Sequence, residues 1–528
     1  MSPDRQIISF VSIRRIVLGM LTLFILFKLV FSLIGTLDRP QIQGKFELYQ
    51  TNLVLVASEW KPTSDDEGLG ALQTSIVGTD LLKSATEQYK SARASDVSAI
   101  EKLKASLTDA TATDAKSQQA LKVQTNLVNQ TIASAQTEID KIDLRIGILQ
   151  AARKQPEQAI ATWQTVTNST KSRSKNIAAS LIDIWRQPSG IDRDTAPQIE
   201  AEITANFDGW FRDRVSQQLY TDLGDRTELA KLALAEQIKS KNALIQLALI
   251  TIPRVVIAIA GIGLIIFFTI RFIIESVQKR ADRSSTAVIL DIDTPWETPW
   301  DWEIVWQVFV LGFFFVGQFL LPVVFGAFVN PVTLTTRGQG IYVFSSYILM
   351  SVLAISVLYF SIKSYFPLAP DWFKFNWKSN WLLWGIGGYL VATPIVIVVS
   401  LVNDKIWQGQ GGSNPLLQIV LEGKDSIALW LFFATAAIAA PLFEEFLFRG
   451  FLLPSLTRYL PTWGAIGVSG LLFGVAHLSL SEILPLTTLG IILGVVYVRT
   501  RNLLAPMLLH SLWNSSTLVS LFILGGGN

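Results

Sequence analysis

The chain has 528 residues, half of them hydrophobic and only 16% charged, with no cysteine and two histidines. Its mean hydropathy is +0.40, too apolar for a soluble domain, in which about 25% of residues are charged. The missing thiol excludes disulfides, thiolate metal sites and cysteine nucleophiles, and a net charge of +2 implies no nucleic-acid partner.

Taken in chain order, residues 1–37 read as a short cytoplasmic tail followed by an apolar stretch at 16–37. It lacks a small-residue cleavage site, so it is expected to be an anchor rather than a removed signal. Residues 38–241 are a different material. They hold 27 acidic and 25 basic residues, more than half of all the charges, but only three of the 30 phenylalanines. This is a soluble insert within a membrane protein.

The insert is rich in Ala, Gln, Lys, Glu and Leu, with apolar residues at helical spacing, and is expected to be all-helical. Residues 146–163 resemble one tetratricopeptide helix hairpin, with Pro156 opening the second helix. Residues 220–226 open a degenerate second unit. A generic helical bundle or stalk is the competing reading, since a solenoid needs about three repeats. In the tetratricopeptide reading, 38–241 binds a protein partner.

From 242 onward the chain is apolar again. A span needs about 20 residues, and candidates lie at 252–274, 304–328, 341–362, 381–402, 427–447, 461–479, 484–499 and 503–525. With the first, that predicts nine spans, in a transmembrane region at 242–410 and a C-terminal core at 411–528. Lys and Arg near the span ends put the N-terminus in the cytoplasm and the helical insert on the opposite side. The membrane is a plasma membrane or a thylakoid-like one.

The chemistry-bearing residues lie near the C-terminus. Glu444, Glu445 and Arg449 form one cluster, Phe473 and His477 a second, and His510 and Asn514 a third. Ionisable groups in apolar helices are costly and mark functional sites by default. Glu444 stands 17 residues before Pro461 and His477 stands 16 after it. A hairpin turning at Pro461 therefore brings them to one height, roughly 25 Å from the turn. Glu445 and Arg449 are one helical turn apart, which suits a buried ion pair. His510 and Asn514 also share a helix face.

A carboxylate facing an imidazole can activate water, and a second His with an Asn can donate to a developing oxyanion. That set describes amide hydrolysis without a covalent nucleophile. The same Glu444, His477 and His510 also suit zinc with an open position for water, although no His-Glu-x-x-His signature is present. These alternatives stay open at this level.

The three clusters resemble the motifs of the CAAX prenyl protease and bacteriocin-processing (CPBP, Abi) family. Its pattern is Glu-Glu-x-x-x-Arg, Phe-x-x-x-His and His-x-x-x-Asn, here Glu444-Glu445/Arg449, Phe473/His477 and His510/Asn514. The resemblance covers about 427–525, with weaker support back to about 300. It implies that Glu444 activates water with His477, that His510 and Asn514 form the oxyanion side, and that Glu445, Arg449 and Phe473 support them. The expected protein is an all-α polytopic membrane endopeptidase acting on membrane-associated or CAAX-like protein substrates within the lipid. Two rivals are a non-catalytic scaffold or immunity protein working through the helical insert, and a transporter with a Glu/His proton relay. The transporter would show inverted repeats with paired broken helices, which the sequence lacks.

Overall fold

The computed structural model describes residues 3–37, 39, 41–62, 66–108, 115–169, 174–186, 191–281, 295–330 and 333–525. Among them every regular element is a helix. The chain divides into a membrane unit, Met1–Leu37 with Pro253–Phe522, and a helical unit, Asp38–Ile252 with Ile523–Asn528.

Helix α1 (Pro3–Ile34) opens the chain. The helical unit continues with α2 (Ile42–Ser58), α3 (Glu67–Val77), α4 (Leu81–Thr108), α5 (Ala115–Ala152), α6 (Pro156–Asn168), α7 (Lys175–Arg186), α8 (Ala196–Asn206) and α9 (Gly209–Leu223). Helix α10 (Arg226–Ala281) then runs from this unit into the membrane unit without a break. Composition changes at 241 but helicity does not, so that boundary falls inside one helix.

The core of the helical unit is built on Leu55, Tyr89, Leu144, Trp163, Leu181 and Phe211, all fully buried or nearly so. Helices α5 and α6 make the hairpin expected at 146–163, with Pro156 in the first turn of α6. Trp163 on α6 donates its indole N–H to the Leu144 carbonyl at 3.1 Å. The close approach depends on Gly147, where a Cβ would lie 2.1 Å from Trp163 Nε1.

The membrane unit adds α11 (Trp302–Phe328), α12 (Thr336–Ile362), α13 (Trp381–Trp407), α14 (Pro415–Glu422), α15 (Ser426–Leu456), α16 (Thr462–Val475), α17 (Leu480–Thr500) and α18 (Leu504–Gly525). Among the described residues eight helices are long and apolar enough to cross a membrane, one fewer than the nine expected. The difference is 461–479. Pro461 caps its start, and the chain turns after Val475, with Leu478 at positive φ. The resulting helix of 14 residues rises only about 21 Å, short of a hydrocarbon core of about 30 Å.

Two contacts hold this unit in register. Arg14 and Arg15 of α1 both pair with the buried Glu303 of α11, and Trp306 donates to Thr22 at 2.7 Å. Helices α16 and α17 cross at Gly470 and Gly490, where a Cβ on Gly490 would stand 2.8 Å from the Gly470 Cα. Only small residues allow two membrane helices to approach so closely.

Candidate active site

Helix α15 is not regular. Its residues 434–439 and 446–452 are π-helical, and the α-helical segment Ala440–Glu445 sits between them. Insertions of this kind occur often at functional sites. Pro441 gives part of the reason. In the first π segment the Ala440 N–H bonds to the Thr435 carbonyl, so the next donor in register, for Ala436, would be Pro441. Proline has no N–H. Helix α18 fills the gap. Asn514 donates to the Ala436 carbonyl at 2.7 Å and Ser511 donates to the Ala437 carbonyl at 2.6 Å. The helix can therefore break register inside an apolar bundle without leaving bare carbonyls.

The two adjacent glutamates leave this segment in different environments. Glu445 is fully buried. Its Oε1 accepts from Arg449 Nη1 at 2.8 Å and lies 2.8 Å from His510 Nδ1. Arg449 is also fully buried, and its Nη2 donates to the Gly490 carbonyl at 2.9 Å. Its guanidinium lies 4.6 Å from the Phe473 ring centroid, a cation–π contact strengthened by desolvation. The glycine crossing thus has a second use: Gly490 exposes its carbonyl where a larger residue would crowd Arg449.

Glu444 is only half-buried. Its Oε1 accepts from the Tyr347 hydroxyl of α12 at 2.8 Å, and Oε2 has no hydrogen-bond partner among the described residues. His477 lies in the turn after α16 rather than within a helix. Its Nδ1 is 2.8 Å from the Phe473 carbonyl. That carbonyl can only accept, so Nδ1 carries the proton and Nε2 keeps its lone pair in the neutral ring. Phe473 stands between the histidines, edge-on to His477 at 5.0 Å and to His510 at 5.6 Å.

The structure thus joins Glu445, Arg449, Phe473, His477 and His510 in one chain of contacts. Glu444 sits beside this chain and is held by Tyr347. Asn514 packs against the Pro441 break. Tyr347 and Ser511 were not visible as site residues in the sequence. Each is an ordinary polar residue in an apolar helix, far in sequence from its partner, and no local spacing marks it. Among the described residues no three His, Cys, Asp or Glu side chains are grouped to hold an ion; His510 Nδ1 and His477 Nδ1 have partners, which leaves Nε2 as the open ring nitrogen of each.

Comparisons with known proteins point to the same helices. Residues 426–516 match the family described as Type II CAAX prenyl endopeptidase Rce1-like. The membrane-embedded CAAX protease MroQ of Staphylococcus aureus (strain USA300) is 25% identical over 178 residues, which is 33% of this chain and 71% of that protein. The membrane peptidase YdiL of Bacillus subtilis (strain 168) is 23% identical over 138 residues, 26% of this chain and 55% of that protein. No solved structure matches the chain significantly.

Proposed function

We propose, from the membership of the C-terminal membrane helices in the CAAX prenyl protease and bacteriocin-processing family, that this protein is an endopeptidase working within the membrane. Its substrates are membrane-associated protein segments, CAAX-like termini among them. The observation that carries the reading is the contrast between the two glutamates. Glu445 is fully buried, with Arg449 and His510 both on its Oε1, whereas Glu444 is half-buried and takes only the Tyr347 hydroxyl.

In this reading Glu444 is the general base. Its Oε2 takes a proton from water as the water oxygen bonds to the carbonyl carbon of the scissile peptide. His477 Nε2 orients the same water. The tetrahedral intermediate carries an oxyanion on the side of Asn514 and of His510, whose Nδ1–H is held by Glu445 and whose Nε2 donates only in the doubly protonated ring. The second N–H of the Asn514 amide remains to donate to the oxyanion, since one is engaged at Ala436. The C–N bond then breaks, and the proton held by Glu444 passes to the leaving amine. Glu445 and Arg449 keep His510 in place and act through it.

The test uses the full chain in liposomes with an internally quenched, farnesylated CAAX peptide as probe. The wild type should cleave it, and Glu444→Gln and His477→Ala should each reduce turnover by about 10²–10⁴-fold, as expected for loss of general-base chemistry. Wild-type turnover in both variants, at normal accumulation, would sink the reading.

A further inference from the structure

Tyr347 lies outside the segment that matches the family, on a helix that contributes none of the three motif clusters. Among the described residues it nevertheless makes the one side-chain hydrogen bond to Glu444, at 2.8 Å. We infer that Tyr347 is the positioning residue of the site: its hydroxyl fixes the Glu444 carboxylate and leaves Oε2 as the atom that meets water. The inference rests on the proposed protease reading for its catalytic meaning.

The placement is built rather than incidental. Helices α12 and α15 are tied at their N-terminal ends by Arg337 and Asp425, 2.9 Å apart. Just beyond that pair, Gly340 lies against Ala428, where a Cβ would stand 3.0 Å from the Ala428 Cα. This close approach brings the long Tyr347 side chain within reach of Glu444. The ring is steadied by an edge-on contact with Phe443 at 6.1 Å. One end of Tyr347 is therefore packed and the other is committed to the carboxylate.

The chemistry calls for such a donor. Glu444 and Glu445 are adjacent acids in an apolar helix, and the cation Arg449 and the His510 ring are both bonded to Glu445. Glu444 is left with the Tyr347 hydroxyl. That bond on Oε1 stops rotation of the carboxylate, so that the free oxygen has a defined direction.

The test is Tyr347→Phe, which keeps the ring on Phe443 and removes only the hydroxyl. Two readouts are taken on the full chain in liposomes. The first does not need a substrate: the thermal midpoint of the reconstituted protein, which reports whether the fold is kept. The second is turnover of the farnesylated CAAX probe.

The expected result is a fall of about tenfold in kcat in Tyr347→Phe, with KM unaltered and the thermal midpoint little changed, the size of effect one lost hydrogen bond can give. Unaltered kcat in Tyr347→Phe, while Glu444→Gln abolishes cleavage, would overturn the inference. If Glu444→Gln still cleaves the probe, the protease reading fails, and with it the catalytic role given to Tyr347.

Discussion

Charge is used in opposite ways in the two units. In the helical unit, ion pairs such as Glu87–Lys90 and Glu138–Lys141 join side chains about half exposed, one helical turn apart. Pairs of that kind contribute little, about 0.3–0.5 kcal/mol each. Its stability comes instead from the buried apolar side chains around Trp163, Leu144 and Phe211. In the membrane unit an ion pair is a commitment. Glu445 and Arg449 are both 0% exposed, and beside each other they bond to the His510 ring and the Gly490 carbonyl. The contrast teaches where to look for function. A charge that a helix could shed at no cost says little, whereas one kept inside lipid against a desolvation penalty of several kcal/mol needs a reason.

The sharpest way to break this comparison is Arg449→Met. It leaves Glu445 buried beside only the His510 ring and strips a donor from the Gly490 carbonyl. The expected cost is about 3–5 kcal/mol, the usual result of removing one partner of a buried pair. It should show as reduced accumulation and a lower thermal midpoint of the detergent-solubilised protein. Lys141→Met in the helical unit, the matched control, should leave both unchanged. If the two substitutions behave alike, burial does not distinguish the units.

A smaller effect tests the helix break in α15. Ser511→Ala removes the donor to the Ala437 carbonyl, at an expected cost of about 1–3 kcal/mol for a buried acceptor left bare. Pro441→Ala restores a backbone N–H at the place where the register breaks. Combining the two should recover part of the loss, so thermal midpoints across the four-member cycle should be non-additive. Simple additivity would mean that the α18 side chains do not answer the proline.

How much of this was legible beforehand differs between the units for a physical reason. Patterning is local, and local features were readable: the charge-rich insert, the apolar spans, the Pro156 hairpin and the one-turn spacing of Glu445 and Arg449. The candidate at 461–479 forms a shorter apolar helix than its hydropathy suggests, because hydropathy measures composition. It does not register that the chain turns at Ala476–Leu478 after 14 helical residues. The pairing of His510 with Glu445, the hydroxyl of Tyr347 on Glu444 and the answer of Ser511 to Pro441 all join helices far apart in sequence. Such contacts are set by how helices pack, and no spacing within one helix encodes them.

In the helical unit, packing rather than charge should dominate, and Gly147→Ala tests this directly. The new methyl would lie 2.1 Å from Trp163 Nε1 and 2.5 Å from Cε2. The ring is fully buried and has nowhere to turn, so α5 and α6 must separate and the indole bond to Leu144 weakens. Overpacking of this kind costs about 1–3 kcal/mol. Hydrogen exchange should report faster opening of α5 and α6, with the amides of α15 to α18 unaffected.

The smallest expected effect is electrostatic. Burial, reinforced by Glu138, pushes the Asp96 carboxyl above its ordinary range, with Lys45 opposing. A raised carboxyl in the folded state contributes stability that is fully present below its unfolded range and is lost as pH rises through the folded value. At pH 7 the charged Asp96 therefore works against the fold. Asp96→Asn should slow the opening of α4 at neutral pH, measured by hydrogen exchange corrected for the intrinsic rate. The advantage should vanish below about pH 4, where the native side chain is itself neutral in both states. An advantage of equal size at both pH values would mean that the amide gains by hydrogen bonding or packing, and that charge at Asp96 carries no weight in this unit.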